Sequence, residues 1–131
     1  MNMLSPIARY KNVQVTTSSG PDLLLMLYDG FFRFCQEART ALKAGDRATF
    51  GLKVMRAHAI VEHLATVLDH GAAPDVAGSL TPLYVFIMDR LTQANVEQSE
   101  TQVTAAERVM APIRLAFEEV IRGRDAGSMS R

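Results

Sequence analysis

Much of what a chain of this size could use for chemistry is missing here. There is one cysteine in 131 residues, Cys35, so no internal disulfide can form and a reducing compartment is expected. That thiol lies inside a helical pattern and reads as a small buried apolar residue. Charge of neither sign dominates: Lys+Arg and Asp+Glu stand at 14 each. Such a balance gives no net field toward nucleic acid or an anionic membrane, and no basic cluster is interleaved with aromatics. The N-terminus lacks a charged stretch followed by an apolar one, and no apolar run reaches about 18 residues. No signal peptide or membrane insertion is therefore expected, and the chain reads as cytoplasmic. There is no glycine-rich phosphate loop, no G-x-S-x-G, and no Cys/His pair spaced for nucleophilic work. No segment of useful length alternates as a strand does.

The three histidines do not fill these gaps. His58 and His63 are five residues apart, roughly 140° around a helix, so they do not converge. His63 and His70 share a face but lie two turns apart. Metal sites in helical bundles use Glu-x-x-His on two helices, and no glutamate precedes any histidine here by three. No metal or cofactor is expected. A histidine phosphotransfer domain is a rival reading for a small helical chain, but it needs a cation near the histidine. One turn after His58 comes Glu62, and one turn after His63 comes Val67. By elimination the chain is not an enzyme, and binding is its expected activity.

What is present is apolar and helical. The stretch from Ser19 to Phe34 opens with a capping serine, Pro21 in the first turn and Asp22 completing an S-x-x-D approximation to a capping box. Leu24, Leu27, Phe31 and Phe34 then form a stripe that continues to Ala38 and Ala41, while Leu25, Tyr28 and Phe32 form a second strip beside it. This helix 1 is predicted over Gly20 to Ala44, stopped by Gly45 in a left-handed C′ position. Asp46 caps helix 2, with Val54, Ala57, Val61, Leu64 and Leu68 at helical spacing, ending near His70-Gly71. A punctuated loop leads to helix 3, capped by Asp75 or Ser79. Its stripe is Leu80, Leu83 or Tyr84, Ile87, Leu91 and Ala94, with Val85, Phe86 and Met88 off it. Helix 3 ends near Glu97, and Ser99 with Gln102 forms a capping box for helix 4. There Val103, Ala106, Met110, Ile113, Phe117 and Val120 keep phase across Pro112, which predicts a bend and not a break.

Short connections between four helices predict an all-α, antiparallel up-down-up-down four-helix bundle over residues 19–123. Residues 1–18 form an irregular N-terminal arm and 124–131 a flexible tail. The arm, with Met3, Leu4, Ile7, Tyr10, Val13 and Val15, either packs on the domain or covers an apolar groove and is displaced. A bundle needs one stripe per helix, and helices 1 and 3 carry more. The surplus suits a homodimer, as in a self-associating adaptor, or a groove for a segment of another protein. Met26, Met55, Met88 and Met110 fit adaptable packing or plain core filling.

The residues also carry a family likeness. Tyr10 and Val15 lead into Ser19, followed by Leu23-Leu24-Leu25-Met26-Leu27-Tyr28-Asp29-Gly30 and Ala38. Helix 2 adds Ile60, Glu62, Leu64 and Leu68; helix 3 adds Leu80, Leu83-Tyr84, Leu91 and Ala94-Asn95. In this order, over nearly the whole chain, the sequence resembles the FliS family of flagellar export chaperones. It departs from the family pattern at Gly20 before Pro21, at Phe117 where tryptophan is common, and at Pro112. The resemblance implies a non-enzymatic cytoplasmic chaperone whose partner is the C-terminal segment of flagellin, disordered when free. Wrapping that segment on apolar grooves would prevent premature polymerisation and keep the subunit competent for type III export, with delivery to the export gate to follow. It implies Tyr10 and Val13 as contacts of the arm, and Leu24, Tyr28, Leu83, Tyr84, Ile87 and Asn95 around the groove. Core burial is the alternative for Leu24, Leu83 and Ile87. For Asn95 the alternatives are a satisfied buried amide that holds register or a helix-end cap. Tyr28 and Tyr84 each bring area and a hydroxyl that fixes orientation.

Overall fold

The structure is a computed structural model that describes residues 16–68 and 74–129, with side chains described over 20–68 and 74–123. Its elements are α1 (Thr16–Lys43), α2 (Arg47–Thr66), α3 (Pro74–Glu97) and α4 (Glu100–Met129). Among the described residues there is no strand. Each helix packs on the next in sequence and α4 closes against α1, which makes a four-helix bundle.

Local chemistry accounts for the α1–α2 corner. Gly45 adopts φ +76°, where a side chain would be strained, and its N–H reaches the Leu42 carbonyl at 3.0 Å. Asp46 then caps α2: one carboxylate oxygen accepts from the Thr49 N–H at 3.0 Å, the other from the Thr49 hydroxyl at 2.6 Å. The hydroxyl first, then the N–H, holds this carboxyl below its ordinary pKa.

Four boundaries differ from the sequence reading. α1 begins at Thr16, so Ser19 lies within it and Pro21 falls inside the helix rather than in its first turn. Pro21 offers no N–H to the Thr17 carbonyl. α2 stops at Thr66, short of His70, where the Val67 N–H and the Thr66 hydroxyl both close on the His63 carbonyl. α3 starts at Pro74, a residue whose missing N–H is harmless at a helix start. α4 runs unbroken through Pro112 and past Gly123 and Gly127 to Met129; each glycine in a helix costs only about 1 kcal/mol. The capping box expected at Ser99 does not form through Gln102. The Gln102 side-chain oxygen accepts from Arg90 Nη1 at 3.0 Å, and the Ser99 N–H donates to the Ala94 carbonyl.

The core follows the stripes, with informative exceptions. Phe31, Ala38, Phe50, Val54, Val61, Leu64, Ile87, Leu91, Val103 and Met110 are buried. On α1 the supposed surplus strip is largely used internally, because Tyr28 and Cys35 are fully buried and Phe32 packs on the core. Burial pushes the Cys35 thiol up to about 12, so it is an inert apolar group. Phe34 lies at the edge instead, with the guanidinium of Arg33 5.0 Å and the ammonium of Lys53 5.7 Å from its ring.

Polar stitches join α1 to α4. Arg39, its side chain only 14% exposed, pairs with Glu100 at 2.8 Å, with Glu107, and with the Thr104 hydroxyl. Two turns along α4, Arg114 reaches Asp29 and Glu118, each at 2.8 Å. With this side closed, the apolar flank that α4 leaves open is the one toward α3.

Candidate binding groove

α4 is the longest helix, and the second half of its stripe outruns its cover. Ile113 is buried, Phe117 is partly buried, and Val120 stands 59% exposed. Opposite them, the first half of α3 presents Val76 and Leu83, 48% and 40% exposed. Between the two helices lies a groove of about 900 Å³. Leu80 and Ile113, nearly buried, form its floor, and the small side chains of Pro112 and Ala116 keep the α4 wall low. Among the described residues, charge in its lining is confined to Asp75 and Arg108. An open trough lined almost wholly by carbon suits the apolar face of an amphipathic helix, whose anchors recur at i, i+3, i+4 and i+7.

Behind the groove is a recess of about 210 Å³. It shares Val76 and Phe117 with the groove and is otherwise walled by Leu24, Tyr28, Leu64, Val67, Leu68, Ala77 and Tyr84. Phe117 stacks on Tyr28 with ring centres 5.8 Å apart. The Tyr28 and Tyr84 hydroxyls meet at 2.7 Å. Burial first, then the Tyr84 hydrogen bond, pushes ionisation of Tyr28 far above its ordinary range, and burial raises Tyr84 as well. Both are neutral phenols.

The site residues read from sequence fall in three places. Leu83 is in the groove, and of the pair Leu83 or Tyr84 it is Tyr84 that joins the core. Leu24, Tyr28 and Tyr84 surround the recess. Ile87 is wholly buried and lines neither space. Asn95 lies toward α2, where a Cβ added to Gly51 would stand 2.7 Å from its Oδ1, so the amide occupies a notch that glycine provides. Tyr10 and Val13 lie outside the described residues. The sequence reading missed the α4 wall, Val109, Pro112, Ala116 and Val120. The proline that interrupts the cleanest stripe was the available signal.

Among the described residues no three His, Cys, Asp or Glu side chains gather as a metal site, and no helix is long and apolar enough to cross a membrane. The fold and groove define a four-helix bundle with an open apolar trough between α3 and α4. Comparison with known proteins names its kind. The sequence matches the family described as flagellar protein FliS over residues 3–124, and the chain belongs to that family. It is 32% identical to the flagellar secretion chaperone FliS of Campylobacter jejuni over 85% of this chain and 87% of the relative. With the Bacillus subtilis protein of the same name the identity is 25%, over 93% and 90%. With that of Salmonella typhimurium it is 29%, over 92% and 93%. The family's members are chaperones of flagellar secretion and not enzymes, and membership supports a flagellar export chaperone role here.

Proposed function

We propose that this chain is a cytoplasmic chaperone that binds the disordered C-terminal segment of flagellin, with part of that segment folded as a helix in the α3–α4 groove. The observation that carries the reading is the open trough itself. Ordering a flexible segment costs about 2–5 kcal/mol. Burying one large aliphatic side chain contributes about 1.5–3 kcal/mol. Val76, Leu83 and Val120 are each about half in water, so completing their burial, together with the apolar face of the incoming helix, offsets the ordering cost. The net charge of zero supplies no long-range steering, which leaves apolar contact to do the holding. Covering the segment keeps flagellin from polymerising before export and leaves it unfolded enough for type III passage, with handover at the export gate.

Sedimentation of the chain with and without a synthetic flagellin C-terminal segment tests this. The expected result is a one-to-one complex with the peptide, heavier than the free chain by the mass of that peptide. A homodimer whose mass is unchanged by the peptide would contradict it and favour a self-associating adaptor.

A further inference from the structure

The groove is apolar along its length, but its two ends differ in charge. α3 stops at Glu97 and α4 starts at Glu100, so the two helices run antiparallel. The start of α3, with Asp75 and Val76, therefore faces the Val120 end of the α4 wall. Glu119 stands exposed at that end too, three residues after Ala116 and so its neighbour on the helix surface. At the other end, beside Leu83 and Val109, stands Arg108. Further along α3 the Arg90 guanidinium lies 5.6 Å from the centre of the Phe86 ring. Its Nη1 donates to the Gln102 side chain, and its Nε is buried with no hydrogen-bond partner among the described residues. Both of these Arg90 contacts are with neutral groups. No ion pair among the described residues engages Asp75, Glu119, Arg90 or Arg108. The trough thus has an acidic end and a basic end. From Arg108 to Val120 is about 18 Å along α4 at 1.5 Å per residue.

We infer that the helical part of the bound segment runs parallel to α3, its N-terminus at Asp75 and Glu119 and its C-terminus at Arg90 and Arg108. The inference rests on the groove reading and adds the direction in which the partner lies. About 18 Å holds roughly 12 helical residues, so both ends of a three-turn helix come near these charges. Any helix carries about half a positive charge at its N-terminus and about half a negative charge at its C-terminus. Parallel to α3, each end meets the opposite sign; reversed, each meets its own. The N-terminus of α3 itself offsets about half of the Asp75 charge, and Glu119 adds to what is left. Neighbouring charges on α4 are already paired: Glu118 with Arg114 and Arg122, Glu107 with Arg39 toward α1. Apolar burial has no direction of its own, so the charged ends decide it.

Nitroxide labels placed one at a time along the synthetic flagellin C-terminal segment read the direction. Each labelled peptide is bound to the whole chain while broadening of the Val76, Val120, Leu83 and Val109 methyl signals is followed by NMR. Labels that broaden Val76 and Val120 should lie nearer the peptide's N-terminus than those that broaden Leu83 and Val109. The reverse order, or both pairs broadened alike by every label, would overturn the direction and leave the groove reading standing. A peptide that binds with none of these methyls broadened by any label would overturn the groove reading, and the direction with it. A second arm removes the end charges with Asp75→Asn and Arg108→Gln combined, both at exposed positions. At low salt this variant should bind the peptide about fivefold more weakly, the loss of one favourable helix-end contact at each end. The difference should fade in about 1 M salt, where screening acts within about 3 Å. An affinity unchanged at low salt would overturn the charged ends as the source of direction.

Discussion

Leu83→Glu combined with Val120→Glu is expected to lower affinity for the flagellin C-terminal segment by more than about a hundredfold. Each of these side chains leaves about half of its area in water, which is about 1 kcal/mol of burial still to be gained on binding. Both losses, with the added cost of taking a carboxylate into a carbon-lined trough, reach the 2.8 kcal/mol or so that a hundredfold represents. The same exposure makes the variants mild for the free bundle. Calorimetric titration with the peptide, beside a thermal melt, separates the two effects. An affinity within threefold of wild type would show that the groove does not hold the segment.

The second large effect is on stability. Phe31→Ala removes a ring that is fully buried on α1 and meets Phe32 edge-on, with centroids 5.1 Å apart. Truncating such a ring typically costs about 3–5 kcal/mol, the lost transfer energy plus that of the cavity left behind. Against the roughly 5–15 kcal/mol that holds most domains together, about a fifth or more of the stability goes. Urea unfolding should show the midpoint falling with little change in slope. A loss below about 1 kcal/mol would mean that the core has repacked around the gap and that α1 is not its centre.

What could be read from the sequence was local. Gly45 and Asp46 mark the α1–α2 corner because a left-handed φ and a carboxylate cap are chemistry of one or two residues. The stripes of α2, α3 and α4 were legible because three-and-four spacing puts apolar groups on one face. Long-range packing decided the rest. Leu83 and Tyr84 lie only about 100° apart on a helix, and nothing nearby says which faces inward. The bundle turns Tyr84 in to meet Tyr28, 56 residues away, and so leaves Leu83 for the groove. Gln102 was read as half of a capping box, yet Arg90 on the neighbouring helix takes its oxygen. The α4 wall was invisible for a similar reason. Val109, Ala116 and Val120 are unremarkable helix residues until α1 is tied to the other flank of α4 through Arg39 and Arg114.

The central claim is that the α3–α4 groove holds flagellin's C-terminal segment, and methyl NMR during a peptide titration tests it most directly. Signals of Val76, Leu83, Val109, Ile113 and Val120, all lining the groove, should shift and saturate at one equivalent of peptide. If these methyls stay in place while the peptide is bound, its seat is elsewhere on the bundle.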